Sequence, residues 1–150
     1  MSTYSDHEQR LLDQQSGAAL DRAFTPRLKT LAARVRANVT YGARAEPADD
    51  WQRNAHGYTV QLRYQRRSMT VDFWCGSAIT REPTAEDVLE CLLSDASSAD
   101  QPFEQWAGEY GYDIDSRKAE RIYRQVQRQT ASVRRLLGPD YDKFLNAERD

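Results

Sequence analysis

Only two cysteines, Cys75 and Cys91, and two histidines, His7 and His56, occur among the 150 residues. Two thiols make no disulfide framework, and neither histidine has a Cys or His at ligand spacing, so no zinc site is expected. Both cysteines fall on apolar faces and read as reduced, buried thiols of a cytoplasmic protein. No histidine lies near Cys75 in sequence to act as a base for a nucleophile. GxSxG, a glycine-rich phosphate loop, HExxH and a deaminase signature are all missing. No apolar run is long enough to cross a membrane, and the opening residues Met1–Asp6 lack the basic-then-apolar order of a secretory signal. The expectation is a non-enzymatic protein with no cofactor, no metal and no membrane partner.

What is present suits a folded chain. With 39% hydrophobic and 29% charged residues it departs from disordered compositions. Residues 1–26 are polar and weakly periodic and are expected to be flexible, whereas 27–150 read as a single domain. Alternation over Val35–Tyr41 predicts a strand within 35–45, and Glu46–Gly57 has the composition of a loop. Tyr58, Val60, Leu62 and Tyr64, then Met69, Val71, Phe73 and Cys75, alternate with polar residues around a short polar connection, which predicts a hairpin.

Three helices and a short terminal one should follow. Pro83-Thr84 with Asp87 starts the first, whose inward face is Val88, Leu89, Leu92 and Leu93. Phe103, Trp106 and Tyr110 stack along one side of the second, and Gly111 is placed to close it in the left-handed conformation. The third begins near Asp113, Asp115 and Ser116 and stops at Gly138-Pro139. Tyr141, Phe144 and Leu145 suggest the last. The fold class is therefore α+β: a small antiparallel sheet, a hairpin plus one strand, packed against a C-terminal segment of three to four helices.

A net charge of −2 hides strong segregation. Glu82–Asp115 holds ten acidic residues and no basic one, while Ser116–Arg135 holds seven basic residues and one acid, Glu120. At about 100° per residue, Arg117, Arg121, Arg124, Arg128 and Arg135 project within about 60° of one another, a stripe along the third helix. Arginine in such a row suits phosphate or carboxylate recognition, and Arg63, Arg66 and Arg67 at the hairpin tip would extend the same surface. The plainer reading is a solvated face paired with the acidic segment. That segment, with Glu82, Glu86, Asp87, Glu90 and Glu104, is itself a candidate contact for a basic groove. Asp113 and Asp115 resemble the start of a calcium loop but lack its glycine and closing glutamate, and read as helix-capping residues. Asp72 is expected to be exposed or paired with an arginine. A pI near 5.7 weighs against nucleic-acid binding as the main role.

The strand Ser68-Met69-Thr70-Val71-Asp72-Phe73, the helix start Pro83–Leu89, the residues Cys91, Leu92, Ser94, Asp95 and Ala96, and then Phe103-Glu104, Trp106, Glu109–Asp113 and Asp115–Glu120 resemble a family of small accessory proteins of bacteriophages and integrated mobile elements. The resemblance covers about 58–138. It implies no catalytic residues. It implies a setting, the bacterial cytoplasm, and small phage accessory proteins in that setting often block host defence, which is an analogy. The expected partner is then a host protein or ribonucleoprotein defence complex, bound in the manner of an anti-CRISPR inhibitor. The alternative is a DNA- or RNA-binding accessory protein of phage replication or recombination. The sequence leaves the oligomeric state open.

Overall fold

Two alternating segments pair as their periodicity requires. A computed structural model describes residues 26–76 and 81–149. In it, β2 (Ala55–Tyr64) and β3 (Arg67–Gly76) form an antiparallel hairpin, joined by the two-residue turn Gln65-Arg66 with Gln65 at φ 57°. β1 (Arg36–Tyr41) pairs antiparallel with the other side of β2, giving the order β1-β2-β3. The expected polar N-terminal segment lies outside the described residues up to Thr25, as does His7, and Pro26 opens the short helix α1 (Pro26–Ala32). The segment 46–57 is less of a loop than its composition suggests. It contains a helical turn, α2 (Asp50–Arg53), and β2 already begins at Ala55.

The helices are α3 (Ala85–Ala96), α4 (Phe103–Glu109), α5 (Arg117–Leu137) and α6 (Tyr141–Arg149), the last two joined by the 3₁₀ turn Gly138–Asp140. The α+β architecture is the expected one, with four helices after the sheet. Thr84 caps α3, its hydroxyl accepting from Asp87 N–H while the Asp87 carboxylate accepts from Thr84 N–H at 2.8 Å. The main core joins Val60, Leu62, Val71 and Phe73 of the sheet to Leu89, Leu93, Leu136, Leu137 and Phe144. A second cluster holds Trp106, Ala107, Ile122 and Val126, with Phe103, Tyr110, Tyr112 and Tyr123 around it. Helix α5 spans both, its first half on the aromatic cluster and its second half on the main core.

The end of α5 is fixed by one glycine. Gly138 takes φ +55°, ψ −129°, and Arg67 lies against it, donating Nε–H to Leu136 O at 3.0 Å. A Cβ at Gly138 would stand 2.5 Å from Arg67 Nη1 and 2.7 Å from its Cζ. Gly138→Ala therefore combines a strained backbone with loss of the arginine that seals the last turn. The expected cost is about 2–3 kcal/mol, lowering the thermal midpoint by roughly 4–12 °C. A calorimetric scan checks it.

Candidate functional site

Helix α5 is held firmly, and that decides what its outer side can do. At its start, Ser116 Oγ accepts from Ala119 N–H at 3.2 Å. Along the first half, the Tyr123 hydroxyl donates to Gln101 O at 2.7 Å and Gln127 Nε2 to Ala99 O at 2.6 Å. Ala119, Ile122, Val126, Thr130, Val133, Leu136 and Leu137 are buried. What remains outward is the row Arg117, Arg121, Arg124, Arg128 and Arg135, all exposed. It runs for about 27 Å along the helix.

The acidic segment does not neutralise this row. Arg121 pairs with Asp49, which sits ahead of α2, at 2.5 Å, and Arg124 pairs with Glu120 of its own helix at 2.6 Å. Arg117 and Arg128 have no partner among the described residues, and Arg135 reaches only Ser132 Oγ at 3.4 Å. The Arg124–Glu120 pair is exposed on both sides, an i,i+4 contact contributing about 0.3–0.5 kcal/mol. An incoming anion can displace Glu120 from Arg124. Arg121 differs, because it compensates a carboxylate that is only 6% exposed. Arg117, Glu120, Arg121, Arg124 and Arg128 line an open depression of about 370 Å³. Further along, Arg67, Ser68, Met69, Thr70, Ser132, Arg135 and Leu136 line another of about 540 Å³ between β3 and α5.

The acidic candidates fare differently, and here the sequence expectation needs correction. Asp87 and Glu90 are buried, at 1% and 8% exposure, and Asp95 also at 8%. Asp87 is occupied in capping α3 and in receiving Arg81 Nη1 at 2.9 Å. α3 is a central helix, packed on α1, α5 and α6, so the side taken as its outer face is interior. Glu82 and Glu104 remain exposed and Glu86 half-buried. Three of the five acidic candidates thus keep access to solvent.

Of the hairpin arginines, Arg66 is exposed at the turn, but Arg67 is turned inward onto Leu136 O and Gln65 Oε1 and serves to lock the hairpin tip to α5. Asp72 is paired, as expected of it. Its carboxylate accepts from the backbone N–H groups of Arg44 and Ala45 at 3.0 and 3.1 Å and from Arg44 Nε. Asp113 and Asp115 sit in the turn before α5, with Asp115 N–H donating to Asp113 Oδ1, while Ser116 is the capping residue. Cys75 and Cys91 are free and buried. Burial pushes the Cys75 thiol up to about 12, with the Asp87 carboxylate adding to the rise, so it is protonated and unreactive at neutral pH. Among the described residues no group of His, Cys, Asp and Glu is placed to hold a metal, and no helix is long and apolar enough to cross a membrane.

Asp49 is the functional neighbour that sequence reasoning missed. It stands 72 residues before Arg121, and no spacing rule connects them. Gln52 helps hold it, its Oε1 accepting from Asp49 N–H at 3.1 Å. Together Asp49, Gln52, Gln125 and Gln129 rim a cavity of about 60 Å³ floored by Val71, Phe73, Val88, Leu92 and Ile122. That is room for a few waters.

Glu86 carries a separate consequence. Its Oε1 is buried with no hydrogen-bond partner, and burial raises its pKa above the usual 4.5, with Lys29 and Arg81 opposing and Asp87 assisting. A carboxyl whose folded pKa lies above its unfolded one costs nothing when protonated in both states. Stability falls as pH climbs from about 4.5 through the folded value, because the unfolded chain ionises first. Glu86→Gln should match the wild type in urea melts at acid pH and exceed it at neutral pH. Equal stability at both ends of that range would contradict the burial argument.

No protein-family model, curated protein or solved structure matches this chain.

Proposed function

We propose that this protein works by binding, without catalysing a reaction, and that it docks through the arginine face of α5 onto an anionic surface of a host defence ribonucleoprotein, blocking it as an anti-CRISPR inhibitor would. The observation that carries the reading is the row Arg117, Arg128 and Arg135, without an acidic partner among the described residues, with Arg124 held only by its exposed pair to Glu120, on a helix that is fixed at both ends and packed along its length. Rigid support matters because a guanidinium fork loses less entropy on binding when its backbone is already ordered. The resemblance to accessory proteins of phages and mobile elements supplies the setting, a bacterial cytoplasm, by analogy.

A second reading is favoured by the neighbouring depression, where Ser68, Thr70 and Ser132 hydroxyls flank Arg135. Hydroxyls beside an arginine are the groups that contact phosphate oxygens without reading sequence. On that reading the partner is DNA or RNA itself, met during phage replication or recombination.

One experiment separates the two. The tagged protein is recovered from a bacterial lysate with and without nuclease, and its binding to random DNA is titrated against salt. Capture of a ribonucleoprotein that survives nuclease, with negligible affinity for free DNA, supports the inhibitor. Direct DNA binding with a log–log salt slope of about −3 to −4, as for some four phosphate contacts, supports the second reading. Neither capture nor DNA binding overturns both.

A further inference from the structure

The two edges of the sheet are treated unequally. The outer edge of β3 faces α5, and the chain after β1 returns to it, with Arg44 Nη2 donating to Thr70 O at 3.4 Å and Asp49 meeting Arg121. No strand pairs with the outer edge of β1 among the described residues. Nor does β1 carry the devices that keep an edge from pairing. It has no proline, its register with β2 runs without a bulge, and its single charged residue, Arg36, stands at its first position.

The hydrogen-bonding groups of that edge can be assigned. Gly42 N–H donates to Gly57 O, so the even-numbered residues of β1 point their backbone groups at β2. Ala37, Val39 and Tyr41 then present theirs outward. Their side chains share a face with Leu62, Val60 and Tyr58, their cross-strand partners, which are all buried. Ala37 is nevertheless exposed, Val39 half-buried and Tyr41 70% exposed. The core-side face of the sheet thus continues past the helical layer, leaving an apolar step beside a backbone edge that no strand among the described residues pairs.

We infer that β1 pairs antiparallel with β1 of a second copy of this chain, about a two-fold axis through Val39, to make one continuous sheet. This is the register that gives all three outward residues a partner. Val39 meets Val39, and the large Tyr41 meets the small Ala37 on the same face. Asn38 meets Thr40, and Arg36 meets Gly42, so no like charges oppose. Of the next arginines out, Arg44 is held on Asp72. A two-fold contact is also closed, which lets an unprotected edge exist without propagating into filaments.

Sedimentation of the full-length chain from low to high micromolar concentration tests this. A species of twice the 17.3 kDa chain mass is expected. Val39→Pro removes an outward N–H while sparing the bonds to β2, and should give a folded monomer. Tyr41→Lys should do the same through the side chain, which keeps the test decisive if the proline variant misfolds. Val39→Cys should cross-link fully on oxidation, because its two-fold mate lies at about 5.5 Å between Cα atoms. A chain monomeric at every concentration overturns the inference. So does a dimer that persists in both folded variants, or one that forms only after residues 1–25 are removed.

Discussion

Replacing Arg117, Arg124 and Arg128 together by glutamate should weaken partner binding by at least a hundredfold and leave the fold intact. Each arginine contact to an anion is taken as about 1 kcal/mol, and three lost contacts correspond to roughly 150-fold. Reversal adds repulsion to loss. On the nucleic-acid reading the salt slope should also fall by about three contacts, since each contributes roughly 0.9. Arg121 is deliberately left out. It neutralises the buried Asp49, so Arg121→Glu would set two carboxylates together and confuse unfolding with loss of affinity. The three chosen side chains are exposed, and only Arg124 has an intramolecular ion pair, the weak one to Glu120. Melting temperature should therefore hold within a few degrees. Affinity unchanged in the triple variant, measured against whichever partner is captured, would remove the α5 face from the contact.

The sequence made much of this surface legible, but not its neighbours. The five arginines fall on one side of α5 because helical geometry is local, and local periodicity survives whatever the helix packs against. The same holds for the strand alternations at Tyr58–Tyr64 and Met69–Cys75. The burial of Glu90 and Asp95 was not legible in that way. A helix with apolar residues on one stripe reads as half-exposed, and only the placement of α3 between α1, α5 and α6 shows that its other side is interior as well. Gly57 misled for another reason. A glycine after a polar run marks a loop by composition, yet here it lies within β2 opposite Trp74. An added Cβ would meet the Trp74 ring at 2.8 Å. That glycine records a close approach, not a turn. The Asp49–Arg121 pair needed the third dimension altogether.

Trp106→Ala should be strongly destabilising. Trp106 is fully buried, stacked on Tyr112 at 5.4 Å with planes 13° apart, and tilted against Tyr110 and Tyr123 at 5.3 Å each. Emptying that site costs about 3–5 kcal/mol, or roughly 6–20 °C in the thermal midpoint. The loss should be uneven along the chain. The aromatic cluster supports only the first half of α5, through Ile122, Tyr123 and Val126, while Val133, Leu136 and Leu137 belong to the main core with the sheet. Amide exchange should therefore quicken over Arg117–Arg128 more than over β2 and β3. Because that half of the helix carries four of the five arginines, partner affinity should drop in the same variant although no charge has been touched. Trp106→Phe, which keeps an aromatic ring against Tyr112, should recover part of both losses. If the variant melts normally, or if exchange rises equally across sheet and helix, then the cluster is not the support on which the arginine face depends.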